Sequence, residues 1–176
     1  PKEQNDRTWC FWEKGDGNWD KLLHRQWAHG DFFFRDVHTQ LDLRPYRYKM
    51  LRGLDFYHFA KQKLLDNSRF DWQQAEVLGV EEGSPMRLTT TAGSFSANLV
   101  FDSRIPTDFT DGKGNSTRIL QSFKGWFVRT PDDQFDPDRF TMMDYRVLWK
   151  DSSSFTYVLP FSKQEALVEF TLFAPM

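Results

Sequence analysis

Residues 155–173 of this chain, FTYVLPFSKQEALVEFTLF, decide its fold. Two apolar runs, at residues 155–161 and 166–173, are separated by four polar residues. Aromatic and β-branched residues favour strands, and a short link of turn-forming residues between two such runs is typical of a hairpin. The stretch therefore predicts two antiparallel strands joined by a tight turn.

Glu169 is the one ionisable side chain within the second run. Because side chains alternate between the two faces of a strand, Glu169 shares its face with Leu167, Thr171 and Phe173. The opposite face is apolar throughout and holds Ala166, Val168, Phe170 and Leu172. A carboxyl group among apolar neighbours loses hydration, which raises its pKa and lets it act as a general acid. The alternative interpretation is a solvent-facing glutamate on a half-exposed sheet.

The first run places an apolar and largely aromatic set on one side, namely Phe155, Tyr157, Leu159 and Phe161. If the two strands pair, this set forms an aromatic wall beside Glu169. Aromatic faces attract cations, so the wall could stabilise a carbocation that the acid creates. The bland alternative is a set of cross-strand aromatic pairs that only holds the sheet together.

Further elements follow on either side of this hairpin. Strand-like patterns cover residues 119–129 and 140–149, and a β-meander is predicted from segments 74–81, 86–91 and 94–102. A helix is predicted at residues 53–66, where apolar side chains recur every four residues. Residues 1–50 show no clean period, and residues 105–117 read as a polar loop. A helix before many strands indicates the α+β class.

Other residues that could carry chemistry give weaker signals. Asp144 and Arg146 share one face of the strand that begins at Phe140, and they either pair with each other or reach a ligand. His24, His29 and His38 do not have the spacing of a zinc site, so no metal is expected. Two glycine pairs occur at residues 15–17 and 112–114. A dinucleotide fingerprint lies between the end of a strand and the start of a helix, and neither glycine pair has this position.

Composition narrows the function classes. Lysine and arginine number 23 against 25 aspartates and glutamates, so a nucleic-acid partner is not expected. The single cysteine, Cys10, cannot form an internal disulfide. Aromatic residues make up 17% of the chain, which indicates either a well-filled core or a site for a large apolar ligand. No signal peptide or spanning segment is evident.

Several segments, taken in order, resemble bacterial lycopene cyclases. They are residues 7–13 (RTWCFWE), 45–51 (PYRYKML), 99–104 (LVFDSR), 121–126 (QSFKGW), 143–146 (MDYR), and the pair 155–162 (FTYVLPFS) and 167–171 (LVEFT). Each motif alone is weak, but the set covers essentially the whole chain. The resemblance is therefore specific.

The resemblance implies an enzyme that closes β-ionone rings on lycopene without net oxidation or reduction. An acid protonates a terminal double bond, the carbocation cyclises, and a neighbouring proton leaves. The family's essential carboxylate corresponds to Glu169. The substrate is expected to contact the aromatic wall together with Asp144 and Arg146. Reduced FAD, kept so by NAD(P)H, is implied as the cofactor, and an apolar substrate implies a cytoplasmic enzyme with peripheral membrane contact.

The implied fold is part of a flavoprotein hydroxylase-like architecture. Residues 1–104 would belong to the FAD-binding domain and residues 105–176 to the antiparallel substrate sheet. The glycine-rich flavin motif is expected before Pro1, and a further portion after the last residue, so this chain alone is expected neither to hold flavin tightly nor to cyclise lycopene. Two alternatives remain: a flavin-dependent monooxygenase or prenyl reductase, and a non-enzymatic β-rich module that binds an apolar ligand or a glycan.

Overall fold

A computed structural model of the chain describes residues 3–105, 118–150 and 152–175. The residues fall into two compact units, one formed by residues 1–59 and 117–176 and the other by residues 60–116. The assignment of residues 1–104 to an FAD-binding domain and of residues 105–176 to a substrate sheet stays a prediction. The predicted loop at residues 105–117 and the glycine pair at 112–114 lie almost wholly outside the described residues.

Most elements of the described chain are strands, as the sequence predicted. In order, the elements are β1 (Thr8–Lys14), β2 (Leu23–Trp27), β3 (His29–Phe34), β4 (Val37–Asp42), β5 (Tyr46–Arg52), α1 (Gly53–Leu65), β6 (Val77–Glu81), β7 (Met86–Thr90), β8 (Gly93–Ala97), β9 (Ile119–Arg129), β10 (Arg139–Asp144), β11 (Ser153–Pro160) and β12 (Glu165–Pro175). The five strands before α1 were not predicted. The helix, the meander β6–β8 and the strand β9 are confirmed.

The first unit contains two sheets. One has three antiparallel strands in the order β1-β5-β2, and the other has six strands in the order β4-β3-β10-β11-β12-β9. The pairing of β3 with β10 is parallel, whereas β10, β11, β12 and β9 pair in antiparallel fashion. The predicted hairpin is therefore confirmed as β11 and β12. The second unit contains the antiparallel sheet β6-β7-β8.

One predicted strand ends earlier than expected. Residues 140–149 were predicted as a single strand, but β10 stops at Asp144. The Asp144 carboxylate accepts a hydrogen bond from the backbone N–H of Arg146 at 3.0 Å, and the N–H of Tyr145 donates to the Phe33 carbonyl at 2.9 Å. Aspartate favours such local turns because its short side chain competes with the strand ladder for backbone donors.

The core of the first unit lies between its two sheets. Its buried members are Trp27, Tyr48, Met50, Phe140, Leu159 and Leu167. Tyr48 of β5 stacks on Phe140 of β10 with ring centroids 4.6 Å apart and an interplanar angle of 20°. Aromatic pairs of this kind add about 0.5–1.5 kcal/mol beyond the area that they bury. The contact joins the three-stranded sheet to the six-stranded sheet.

The opposite face of β5 carries a buried charge. Lys49 is 0% exposed, and its ammonium donates to Glu13 at 2.9 Å, to Asp20 at 2.6 Å and to the carbonyl of Gly15 at 2.8 Å. Burial alone would lower the pKa of Lys49, but the hydrogen bonds to Asp20 and Glu13 outweigh it, so that the net pKa shift is upward. All three ammonium protons have acceptors, which is the condition for burying such a group.

Gly17 leaves the space that Glu13 needs in this cluster. A Cβ atom at residue 17 would lie 2.0 Å from Glu13 Oε2. We expect Gly17→Ala to push the Glu13 carboxylate away from Lys49 and to lower the free energy of unfolding by about 1.5–3 kcal/mol, the range for a hydrogen bond to a charged group. Chemical denaturation measures this change.

A double-mutant cycle gives the control. In a Glu13→Gln background the effect of Gly17→Ala should shrink, because the charge-assisted bond is already weakened. Gly79→Ala serves as the matched glycine variant, since a Cβ there meets nothing within 4 Å. An equal loss for Gly17→Ala in both backgrounds would contradict the steric explanation.

Candidate functional site

Glu169 lies near the middle of β12 and is paired on both sides. Its Cα partners are Tyr157 of β11 and Gly125 of β9. The β12 ladder with β9 runs without interruption from Glu165 to Pro175, and the ladder with β11 is equally regular. The backbone therefore fixes which face of the sheet carries the carboxyl group, because a shift by one residue would turn it to the other face.

The carboxyl group of Glu169 borders a cavity of about 310 Å³ in the first unit. Its apolar walls come from four different strands and include Phe123, Met142, Phe155, Leu159 and Leu167. Five lining residues carry a hydroxyl or thiol group, namely Thr8, Cys10, Tyr48, Tyr157 and Thr171. No lysine or arginine is among the described residues that line this cavity, so no cation there stabilises a carboxylate.

Burial raises the pKa of Glu169, and a hydrogen bond from the Thr171 hydroxyl, at 3.4 Å, lowers it by a smaller amount. The net pKa shift is upward. This direction matches the sequence-based expectation of a poorly hydrated carboxyl group. The group therefore keeps its proton to a higher pH than an exposed glutamate does, which is a property of general acids.

Two tyrosines and a cysteine form a neutral cluster in the same cavity. The hydroxyl of Tyr157 donates to the hydroxyl of Tyr48 at 2.7 Å. Burial raises the pKa of both tyrosines far above the ordinary value. Burial also raises the pKa of the Cys10 thiol, although its hydrogen bonds with the two tyrosines oppose this. All three groups are therefore protonated at neutral pH, and none presents an anionic nucleophile.

The predicted aromatic wall is only partly beside Glu169. Phe155, Tyr157 and Leu159 line the cavity, whereas Phe161 is not among the described residues that do so. Phe161 follows the end of β11 and stacks on Phe127 with ring centroids 5.9 Å apart. Substrate contact by these four residues stays a prediction, and the cavity supports it for the first three.

Asp144 and Arg146 pair with each other away from Glu169. The guanidinium Nη2 of Arg146 lies 2.6 Å from Asp144 Oδ2, and the guanidinium carbon is 4.0 Å from the centre of the Phe33 ring. The hydrogen bond from Arg146 lowers the pKa of Asp144. Neither residue lines the cavity. The geometry is that of the structural ion pair, one of the two interpretations of the sequence, and ligand contact by this pair stays a prediction.

The other candidates from the sequence have structural partners. The carbonyl of Gly15 accepts a hydrogen bond from Lys49 in the turn after β1, so the first glycine pair helps to bury a charge. His24 lies 2.9 Å from the Arg52 guanidinium, and His38 lies 2.8 Å from Asp31. In the described residues, no group of three or more histidine, cysteine, aspartate or glutamate side chains is placed to hold a metal ion.

Several residues that line the cavity or lie next to Glu169 were missed by sequence reasoning. Cys10, Tyr48 and Met142 lie on β1, β5 and β10, and Gly125 lies opposite Glu169 on β9. The first two fall in the region without a clean period. Their approach to β11 depends on the packing of two sheets, for which the sequence pattern carries no signal.

Comparison with known proteins gives a family match over the whole chain. A family model described as lycopene cyclase protein matches residues 1–176. No curated protein matches the chain. Among solved structures, the chain is similar to the peptidyl tryptophan dihydroxylase QhpG, described as essential for tryptophylquinone cofactor biogenesis, at 12% identity and a TM-score of 0.45. That alignment covers 84% of this chain and 31% of the other.

The raised pKa of Glu169 predicts a pH-dependent effect on stability. The folded state holds this proton more tightly than the unfolded state, so stability falls as the pH rises from the unfolded to the folded pKa and stays lower above it. Glu169→Gln should therefore stabilise the protein at neutral pH and lose this advantage in acid. Unfolding free energies of both forms across pH measure the difference.

Glu165→Gln is the matched control on the same strand. The Glu165 carboxylate pairs with Arg129, so its removal should give no gain in stability at neutral pH. A Glu169→Gln variant that is no more stable than the unsubstituted protein at neutral pH would show that the carboxyl group is well hydrated.

Proposed function

The chain belongs to the lycopene cyclase protein family, and from this premise we propose that it carries the acid-bearing sheet of a carotenoid cyclase, with Glu169 as the general acid. The observation that carries the proposal is a carboxyl group of raised pKa in an apolar cavity, with no lysine or arginine among the described lining residues. A hydrocarbon substrate offers no polar handle, so apolar area must hold it.

The proposed reaction begins with proton transfer from Glu169. The O–H bond of the carboxyl group breaks as a C–H bond forms at a terminal double bond of lycopene. The resulting carbocation is attacked by a neighbouring double bond, which closes the ring. The carboxylate that the first step leaves on Glu169 can then take a proton from a carbon adjacent to the cation, which restores a double bond, so that proton gain and loss cancel and no net redox change occurs.

The cavity supports this chemistry in two ways. The rings of Tyr48, Phe155 and Tyr157 face the space beside Glu169, and aromatic faces stabilise a nearby cation. The two tyrosine hydroxyls remain protonated because burial raises their pKa, so neither is a phenolate that would trap the cation. An acid beside neutral, electron-rich groups suits a reaction in which a cation forms and must not be captured.

The proposal includes flavin use by the full-length protein, which rests on the family alone. In it, the flavin is reduced FAD, and NAD(P)H is the reductant that keeps it reduced. The one α-helix in the described residues does not fit the cofactor's pyrophosphate. At its start, the N–H of Gly53 donates to the Arg7 carbonyl at 2.9 Å and the N–H of Leu54 donates to Asn5 Oδ1 at 3.3 Å. Asp55 adds a negative charge in the first turn.

Tryptophan positions bear on the binding-module alternative. A flat row of exposed tryptophans would favour that alternative, and buried tryptophans beside Glu169 would favour the enzyme. In the described residues, five tryptophans are exposed, each on a different segment of the chain: Trp12, Trp19, Trp72, Trp126 and Trp149. Trp27 is buried in the core, and no tryptophan is among the described residues that line the cavity. The case for the enzyme therefore rests on Glu169.

Membrane contact and a cytoplasmic location are proposed from the substrate, because lycopene partitions into lipid. No helix in the part of the chain that the structure describes has the length and apolar character to cross a bilayer. Nucleic acid is not a proposed partner. The formation of β-ionone rings in particular, and the inactivity of this chain by itself, belong to the same proposal.

Glu169→Gln in the full-length protein tests the acid. Because glutamine keeps the shape but cannot donate the proton, lycopene cyclisation should fall by roughly 10²- to 10⁴-fold. Product analysis by chromatography measures cyclisation, and flavin reduction is followed in parallel.

Two comparisons make the result decisive. Glu165→Gln should cyclise normally, since Glu165 pairs with Arg129 rather than lining the cavity. Flavin reduction that persists in Glu169→Gln separates loss of the acid from loss of the cofactor. Unchanged cyclisation by Glu169→Gln would refute the assignment, and redox turnover of the substrate would instead favour a monooxygenase or reductase.

A further inference from the structure

Glu169 also borders a second cavity, which opens on the side of β9. This space measures about 460 Å³. It shares four lining residues with the first cavity, namely Thr8, Phe123, Leu167 and Glu169. The carboxyl group therefore lies where the two spaces adjoin.

Gly125 keeps the carboxyl group open toward the second cavity. It is the Cα partner of Glu169 across the β9–β12 ladder. A Cβ atom at residue 125 would lie 3.1 Å from Leu167 Cδ1 and 3.5 Å from Glu169 Oε2. Any side chain there would cover part of the carboxyl group and press on Leu167. The glycine thus leaves a gap directly beside the proposed acid.

Two exposed phenylalanines flank this gap. Phe123 and Phe127 lie two residues before and after Gly125, so all three point to the same face as Glu169. The side chains are strongly exposed, with 65% of Phe123 and 61% of Phe127 accessible. We call these three residues the β9 slot. Both phenylalanines also line the second cavity.

The opposite face of β9 differs in character. Lys124 and Trp126 point that way, and the Lys124 ammonium lies 5.4 Å from the centre of the Trp126 ring. β9 is also the outermost strand in the order of its sheet. The gap at Gly125 and the two phenylalanines that flank it therefore lie on the Glu169 side of β9.

The first cavity is too small to hold a whole polyene substrate. At about 310 Å³ it lies at the lower end of the range for small-molecule sites. It can accept the end group of a long polyene but not the whole molecule. The rest of the chain must leave through a neighbouring space, and the second cavity adjoins at the carboxyl group itself.

We propose that the β9 slot is the place where the polyene of the substrate crosses the sheet edge, with its end group beside Glu169 and its remaining chain between Phe123 and Phe127. Gly125 is then a positioning residue, because it allows an alkene carbon to approach the acid. The inference rests on the proposed function. It adds the route that the polyene chain takes out of the site and the reason that the site prefers a long polyene.

Binding is measured in the full-length protein carrying Glu169→Gln, so that no turnover occurs. The ligands are lycopene in detergent micelles and myrcene, a short acyclic terpene with a similar end group. Gly125→Val should weaken lycopene binding by roughly tenfold or more, as expected when extra methyl groups crowd an apolar site. Phe127→Ala should weaken lycopene binding and leave myrcene binding unchanged, because Phe127 contacts only the part of the chain beyond the first cavity.

Controls are provided by the same strand and by another glycine. Lys124→Ala alters the opposite face, and Gly79→Ala adds a methyl group in open space, so both should bind lycopene normally. In the active protein, Phe127→Ala should raise KM for lycopene with little change in kcat. If Gly125→Val does not fold, as judged by circular dichroism, Phe127→Ala still tests the path.

Two results would overturn the slot. One is lycopene binding that is as tight in Phe127→Ala as in its parent. The other is an equal loss for both ligands, which would indicate a structural effect rather than contact along the chain. Failure of the acid is separable, since it appears as cyclisation by Glu169→Gln and does not alter these binding constants.

Discussion

The pairing of β12 on both edges is the constraint on which the site depends. One ladder joins it to β11 and the other to β9, and Glu169 lies opposite Tyr157 in the first and Gly125 in the second. These three residues form a row across β11, β12 and β9, in which the carboxyl group of Glu169 lies between the ring of Tyr157 and the open space at Gly125. No loop contributes to this row, so its geometry has the rigidity of the sheet rather than the mobility of a connection.

The molecule buries ionisable groups in two different ways. Lys49 is fully enclosed but keeps three acceptors, and its pKa rises because those acceptors outweigh burial. Glu169 has one weak hydrogen bond and no cation among the described residues of its cavity, and its pKa rises because burial is barely opposed. The first arrangement stabilises the charged form of its side chain, whereas the second favours the protonated, neutral form.

Part of this structure could be predicted from the sequence, and the reasons differ between elements. The β11–β12 hairpin follows from local alternation and a short link, and the same alternation placed Glu169 with Leu167 and Thr171. Residues 48–51 of β5 are buried on both faces, so they show no alternation to detect. The placement of Cys10 and Tyr48 beside Tyr157 depends on two sheets packing together. The sequence predicted that Asp144 and Arg146 could pair, but it did not predict the turn after Asp144 that ends β10.

The parallel pairing of β3 with β10 has a consequence for biosynthesis. The carbonyl of Gly30 accepts a hydrogen bond from Arg139, which lies 109 residues later in the chain. When the ribosome has delivered β3 and β4, their sheet neighbour has not yet been translated. The nascent chain therefore exposes the run Phe32, Phe33 and Phe34 beside an unpaired strand edge until most of the sequence has emerged. Such an intermediate is prone to aggregate, and a bound chaperone would protect it.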